Sequence, residues 1–271
     1  MKAKKGFLFA LGLTFLGFIV LTLSVFIFHN SQEYEEIMSQ LAVLDRVYDL
    51  DVSIQEALGY TIGLESGIMV NITEEGVSFE EDLPNNNRQG FNSSIKGFKG
   101  FIESNLSNIG LTITNIDELP LKIMPNDINY KHRDDWSSIE VIPDSINFDG
   151  YSLQITTDKN VSCIWDVNSG SFNLSLEVIG DSSSCSKQTE TIDPSVDNEV
   201  RVESIGEGDI IVIRVTNDGI LLVNLTQDVS IRAKTTVLMD GSGAAIGADE
   251  IILSFDFVDF GVYKATGVRV R

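Results

Sequence analysis

Residues Lys2–Phe28 read KAKKGFLFALGLTFLGFIVLTLSVFIF, and this stretch sets the architecture of the chain. Three lysines precede Gly6, and the 22 residues Phe7–Phe28 carry no charged side chain. As an α-helix at about 1.5 Å per residue, the run is roughly 33 Å long, enough to cross the hydrocarbon core of a bilayer. Lysines on the short N-terminal side favour a cytoplasmic N-terminus. The sequence therefore predicts a single-pass cell-membrane protein with residues 29–271 outside the cell.

The alternative is a secretory signal peptide that is removed. The apolar core of a signal peptide is typically about 7–15 residues long and ends in a small-x-small cleavage site. Here the apolar run is longer, and it leads into the bulky sequence Phe26-Ile27-Phe28-His29-Asn30. We therefore expect the segment to be retained.

Helical periodicity continues beyond the apolar run. Apolar residues recur at steps of three, four or seven, with acidic and basic residues between them: Ile37, Leu41, Leu44, Val47 or Tyr48, Ile54 and Leu58. This pattern predicts an amphipathic stalk helix over residues 29–63, with Gly59 and Gly63 as stop signals. A juxtamembrane helix of any single-pass receptor gives the same pattern.

The sequence Lys4-Lys5-Gly6-Phe7-Leu8-Phe9 resembles the class III signal of type IV prepilins. The resemblance implies that a prepilin peptidase cuts between Gly6 and Phe7, so that residues 1–6 are a cytoplasmic leader and residues 7–28 stay as the membrane helix. Type IV pilins and archaeal pilin-like proteins also continue the apolar helix into an amphipathic half and a β-rich head. Other pilin-like subunits are then the implied partners. Leu11 stands at the fifth mature position, where many bacterial pilins carry Glu.

The charge distribution fits an extracellular head. All 40 Asp and Glu residues follow residue 32, together with 16 of the 19 Lys and Arg residues, which gives this part of the chain a formal charge of −24. Such a surface repels nucleic acid and keeps the head soluble. We therefore expect the membrane, and no nucleic acid, as a partner.

Two cysteines, Cys163 and Cys185, both follow the membrane segment. In an oxidising compartment they are most simply one disulfide, worth about 3 kcal/mol on the chain-entropy estimate. A two-cysteine metal site is the alternative, but His29 and His132 are both far from the cysteines in sequence. We predict a disulfide, no metal and no cofactor.

Six Asn-x-Ser/Thr sequons make the head a candidate glycoprotein in a host with N-glycosylation. They begin at Asn71, Asn92, Asn105, Asn160, Asn173 and Asn224. Sugars at these positions would lie on exposed loops or strand edges, outside the cell.

Beyond the stalk, strand-like alternation replaces the helical period. A short hairpin is predicted over residues 67–79, and a helix with the apolar stripe Ile95, Phe98, Phe101 or Ile102, and Leu106 follows it, in which Gly97 and Gly100 would allow close packing. Short strands joined by Gly, Asn and Asp turns run from Ser145 to the C-terminus, with Asn217-Asp218-Gly219 as a strong hairpin signal. The predicted fold is α+β: a long N-terminal transmembrane and stalk helix, then a mainly antiparallel β-sandwich head. The head is one domain or two, an α+β part over 64–143 and a sandwich over 144–271.

Motifs for catalysis are missing from the sequence. It has two histidines and no Gly-x-Ser-x-Gly, His-Glu-x-x-His or P-loop pattern, and the glycines of Gly241–Gly247 lead into a strand instead of a helix. We therefore predict a non-enzymatic protein with no catalytic residues. Two functions remain: a pilin-like subunit of a surface filament or adhesion apparatus, or a single-pass surface protein that is neither processed nor polymerised.

Overall fold

The structure is a computed structural model. It describes the backbone of residues 2–106, 109–116, 118–133, 136–204, 206, 208–227, 229–258 and 262–270, and the side chains of these residues except 2–14, 36, 40, 187–189, 249–250 and 269. The chain forms two compact units, Met1–Val52 and Ser53–Arg271.

Helix α1 (Lys2–Glu65) provides the described part of the first unit and the beginning of the second. No proline interrupts it. The predicted membrane and stalk segments are thus one continuous helix. From Phe15 to Phe28 every side chain is exposed, and this is the one helix among the described residues that is long and apolar enough to span a membrane.

Within the second unit, the last turns of α1 are part of the hydrophobic core. Ile54, Leu58 and Ile62 are at most 4% exposed. The prediction that Gly59 and Gly63 end the helix is wrong, because the helix passes through both and ends at Glu65. Its stop comes at Gly67, whose φ of +71° suits glycine. Burial of the apolar stripe offsets the low helix propensity of the two glycines.

Sixteen strands follow in the part of the chain that the structure describes. They are β1 (Met69–Thr73), β2 (Gly76–Leu83), β3 (Ile109–Ile113), β4 (Leu121–Met124), β5 (Ile128–Arg133), β6 (Ser138–Pro143), β7 (Gly150–Thr157), β8 (Val161–Asp166), β9 (Ser169–Ile179), β10 (Ser184–Ile192), β11 (Asn198–Ser204), β12 (Gly208–Thr216), β13 (Ile220–Leu225), β14 (Ile231–Leu238), β15 (Ala245–Phe257) and β16 (Val262–Arg269). A second helix, α2 (Arg88–Asn105), lies between β2 and β3.

The strands form two sheets. Sheet A has the order β1-β2-β14-β7-β9-β10, and sheet B has the order β16-β15-β4-β5-β6-β13-β12-β11-β8, with β3 also paired to β15. Described pairings are antiparallel except β7 with β9. Both sheets take strands from before and after residue 143. The predicted α+β class, with a long helix followed by a sandwich-like, mainly antiparallel head, is confirmed.

Side chains on the inward faces connect the two sheets. Phe79 of β2 stacks on Tyr130 of β5, with ring centroids 4.0 Å apart. The Tyr151 hydroxyl of β7 donates a hydrogen bond to the Gly219 carbonyl, 2.7 Å away, in the turn between β12 and β13. That turn is the predicted Asn217–Gly219 hairpin, and Asp218 and Gly219 have φ of 70° and 75°. Each large apolar side chain so buried contributes about 1.5–3 kcal/mol.

Helix α2 lies after the first hairpin, as predicted, and its buried side chains fit the predicted stripe with Ile102 as the inward residue. Phe91, Ile95 and Ile102 are buried, whereas Phe101 is 62% exposed. The expectation that Gly97 and Gly100 allow close packing is wrong, because a Cβ at either position would meet no atom within 4 Å. The stripe of apolar residues was read correctly, but its two glycines lie on the outer side of the helix.

Candidate functional site

The predicted processing site lies in the first turns of α1. The backbone at Gly6 and Phe7 is helical. Their side chains lie outside the described residues, so the cleavage between them stays a prediction. The apolar run that follows continues without a break in the helix.

The stalk part of the first unit carries a row of exposed apolar side chains. Tyr34, Ile37, Leu41, Leu44 and Tyr48 are spaced alternately three and four residues apart, and each is between 53% and 71% exposed. We call this row the stalk seam. Alternating steps of three and four place these residues on one side of a helix, and this spacing is typical of a helix face that packs against another helix. The sequence predicted this row from Ile37 onward, with Val47 or Tyr48 as its fourth residue, but neither Tyr34 nor the exposure of the row.

Cys163 and Cys185 form a disulfide, as predicted. Cys163 lies on β8, the last strand of sheet B, and Cys185 on β10, the last strand of sheet A. The bond therefore joins the edge strands of the two sheets. The sequence predicted the pair, but it gave no indication that the bond closes one side of the sandwich.

The other side of the sandwich, at β1 and β16, contains an apolar groove. Its volume is about 690 Å³. The lining residues come from the end of α1, from β1 and from the β15–β16 region: Tyr60, Gly63, Leu64, Ile68, Val70, Ile72, Ala245, Ile246 and Val270. The two sides of the sandwich thus differ, since one is joined covalently and the other is open and apolar.

The six sequon asparagines fall into two groups by exposure. Asn71 on β1, Asn105 at the end of α2 and Asn160 before β8 are exposed. The remaining three, Asn92, Asn173 and Asn224, are half-buried, and Asn173 and Asn224 lie within paired strands. Modification at any of them stays a prediction.

A buried polar cluster in the second unit was not predicted from the sequence. The Glu81 carboxylate of β2 accepts hydrogen bonds from the Tyr130 hydroxyl at 2.5 Å and from Asn85 Nδ2 at 2.9 Å, and it is hydrogen-bonded to His132 Nε2 at 2.6 Å. Asn85 Nδ2 also donates to the Ser66 carbonyl at 3.0 Å, just after α1. We call Glu81, Asn85, Tyr130 and His132 the Glu81 cluster; its members are at most 4% exposed. The cluster connects sheet A, sheet B and the end of α1.

Aromatic rings enclose the cluster. The His132 ring stacks on Trp136 with centroids 4.7 Å apart, and Trp136 in turn contacts Phe91 of α2. Burial raises the pKa of the Tyr130 phenol well above its usual value, and the Glu81 charge shifts that pKa in the same direction. The phenol therefore stays protonated and serves as a donor to Glu81. With every member enclosed, the cluster offers no surface to a substrate.

A signal for this cluster was present in the alternation of the two strands. Val77, Phe79 and Leu83 are the apolar inward residues of β2, and Glu81 shares their parity. On β5, Ile128 and Tyr130 point inward and His132 shares theirs. A titratable residue at an inward position of a strand needs a buried partner. Two such residues on two strands therefore indicate a polar pair in the core.

Comparisons with known proteins gave no relative: no family model, no curated protein and no solved structure matches the chain. The architecture itself is consistent with that of pilin-like proteins, in which a long apolar N-terminal helix is followed by a β-rich domain.

Proposed function

We propose that the chain is a membrane-anchored extracellular pilin-like subunit, a minor pilin or a component of a surface filament or adhesion apparatus, assembled through its N-terminal helix. One observation carries the proposal. Helix α1 continues from an apolar segment long enough to span a membrane into the head without interruption. A helix of this kind anchors a free subunit in the bilayer and offers an apolar surface to neighbouring helices.

The stalk seam supports assembly through α1. Its five apolar side chains are exposed in the isolated chain, although exposing them to water is unfavourable. Packing the seam against helices of other subunits would bury these side chains. The acidic head has no role in this contact and faces the medium.

Processing is tested by the mature N-terminus. Intact-mass measurement of the surface-exposed protein should find Phe7 as its first residue, and Gly6→Val should leave the six-residue leader attached. Because prepilin peptidase depends on the glycine, the Gly6→Val variant should be heavier than the processed wild type by the mass of its uncleaved leader. Met1 or Lys2 at the N-terminus of the surface form would argue against the pilin-like subunit.

Assembly is tested by a charge placed in the stalk seam. Leu41→Glu should weaken association of subunits, because burying an unpaired carboxylate costs at least about 2 kcal/mol, or roughly thirtyfold in the association constant. Ser39→Glu is the matched control, since Ser39 is exposed and lies on another side of the same helical turn. Cross-linking on intact cells compares the two. Equal cross-linking of both variants would contradict assembly through this seam.

The second candidate is a single-pass surface protein that is neither processed nor polymerised. Leu11 favours it, because the residue stands where many bacterial pilins carry a Glu that pairs with the neighbouring N-terminus. An unprocessed N-terminus together with no cross-linked species would select this candidate. Protease added to intact cells tests the orientation common to both: the head should be removed, and an N-terminal tag should be protected.

A further inference from the structure

We infer that β1 pairs edge to edge with β1 of a second copy of this chain, in the antiparallel direction and with Asn71 opposite Asn71. The second copy thereby adds a strand to the open side of the sandwich, where the apolar groove lies. This contact is in the head and makes no use of the stalk seam. Either of the two candidate functions is compatible with it.

The outer edge of β1 is free of any described strand. β1 is the first strand in the order of sheet A, and among the described strands it pairs with β2 alone. An antiparallel strand bonds its neighbour through every second residue, so β1 has backbone N–H and C=O groups that point away from β2. Four of its five residues are exposed, and the fifth, Val70, is half-buried. A second strand can therefore reach this edge.

The other three strands that end the two sheets are protected against such pairing. The disulfide ties β8 to β10, and the register of β10 is shifted at two points. β16 carries Lys264 and Arg269. Charged side chains and bulges are devices by which edge strands avoid pairing with other chains. The sequence of β1, Met-Val-Asn-Ile-Thr, has no charge and no proline, and its register with β2 is regular, so its edge is open to a partner strand.

The inward face of β1 lacks the cover that the neighbouring strand has. Val70 lies opposite Phe79 of β2, and Phe79 is fully buried. Ile72 lies opposite Val77, which is also fully buried, yet Ile72 itself is 41% exposed. Val70 and Ile72 both line the apolar groove. A strand added to the edge of β1 continues this face and brings its own alternate side chains to the mouth of the groove, where apolar residues are required.

The strand β1 of a second copy has the required pattern. With Asn71 opposite Asn71, Val70 of each copy lies opposite Ile72 of the other, and both pairs are on the groove side of the extended sheet. Cross-strand pairs of β-branched side chains stabilise a sheet. The arrangement has twofold symmetry, so each copy provides the strand that covers the groove of the other.

The charge of the head selects the antiparallel direction. The head is strongly acidic, so two copies can approach each other only where acidic side chains are missing. Glu74 and Glu75 form the turn that follows β1. In an antiparallel pair the turns of the two copies lie at opposite ends of the strands. A parallel pair would place their four carboxylates side by side, where they repel one another.

The sequon at Asn71 makes the pairing a property of the unmodified chain. Directly opposite residues of an antiparallel pair have Cβ atoms about 4.5–5.5 Å apart. An N-linked sugar is bulky, so two sugars at Asn71 would meet at the centre of the pair. Glycosylation at Asn71 would therefore keep the two edges apart in a host that attaches it.

Single cysteines on β1 test the pairing and its register in the full chain, made in the membrane of a host without N-glycosylation. The two natural cysteines are already joined to each other. Asn71→Cys should form a disulfide between two copies, because opposite Cα atoms lie about 4.5–5.5 Å apart, within the range of a disulfide. Met69→Cys and Thr73→Cys are the matched controls on the same face. Each is about 13–14 Å from its counterpart, but coexpressed chains that carry one each place the two cysteines opposite each other.

Non-reducing electrophoresis should show cross-linked dimer for Asn71→Cys and for the coexpressed pair, at a level at least about tenfold above either control alone. Equal cross-linking of the three single variants would overturn the inference, and so would stronger cross-linking of Thr73→Cys than of Asn71→Cys. No dimer for Asn71→Cys, or none for the coexpressed pair, would overturn it as well. Because the pattern among the variants is compared and not the yield, the result does not depend on association through α1.

A charge on the groove side provides a second measurement. Ile72→Lys, added to Asn71→Cys, should reduce the cross-link at least about tenfold, because the ammonium group would lose water on pairing. Ile179→Lys is the matched control, since Ile179 ends β9 of the same sheet and is 46% exposed. It should leave the cross-link unchanged. An equal cross-link in both variants would contradict pairing through the edge of β1.

Discussion

Removal of the disulfide should destabilise the head mainly through the unfolded chain. Cys163 and Cys185 are 22 positions apart, and closing a loop of this length reduces the unfolded-state entropy by an amount worth about 3.4 kcal/mol at 25 °C. The native pairing of both strands does not depend on the bond, because Cys163 is paired with Val202 of β11 and Cys185 with Val178 of β9. Replacing both cysteines by serine should therefore lower the melting temperature by about 7–14 °C for a domain of this size.

Urea unfolding of the full chain in detergent micelles measures this loss. The double variant and the thiol-reduced wild type should have the same urea midpoint, because both lack the cross-link. Only the double variant has altered side chains, so equal midpoints assign the loss of stability to the cross-link. Without the cross-link the unfolded chain is less compact, so the dependence of the unfolding free energy on urea should become steeper. The reasoning would be refuted if the fully reduced wild type unfolded at the same urea concentration as the oxidised protein.

Three other expectations concern the surface, the buried phenols and the glycines. In a host with N-glycosylation, peptide mass spectrometry should find sugar at the exposed Asn71, Asn105 and Asn160, and little at Asn173 and Asn224, which lie half-buried in paired strands. Burial raises the pKa of Tyr130 and Tyr151, so both phenols stay protonated in the folded head. Their contribution to the free energy of unfolding is fully present below about pH 10 and is lost above it, where the unfolding constant should rise by up to about tenfold per phenol and pH unit. Phenolate absorbance during unfolding measures this effect. Gly100→Ala should stabilise the head by about 0.5–1 kcal/mol, because the site is open and helical. Gly150→Ala should destabilise it by more than that, because φ is +153° and the new Cβ would lie 2.0 Å from the Asn173 carbonyl oxygen. Thermal unfolding of the two variants tests both expectations.

Local sequence patterns were sufficient for the elements whose signals are local. The apolar run and the helical period after it predicted α1, and Asn217-Asp218-Gly219 predicted the turn between β12 and β13. The disulfide was also predictable, because two cysteines in a part of the chain expected outside the cell have few alternatives. In each case the deciding information lies within one segment of the sequence or in the number of cysteines.

Features that depend on distant contacts were not predictable in the same way. Gly59 and Gly63 look like stop signals, but Ile54, Leu58 and Ile62 on the same helix are buried, and this burial outweighs the local preference. Gly97 and Gly100 were expected at a packed surface and are open. The sequence contains the glycines, but it does not state which side of the helix the sheet will cover.

The Glu81 cluster shows how far the alternation of a strand can be used. Glu81 and His132 are 51 positions apart, so no local pattern connects them. Each one nevertheless interrupts an apolar row on its own strand, and a charged residue there is too costly to be left without a partner. Because a core of this size can hold few such interruptions, two of opposite chemical character are expected to meet. Alternation thus predicts that a polar pair exists, while the meeting of Glu81 with three polar side chains from two sheets is visible only in the structure.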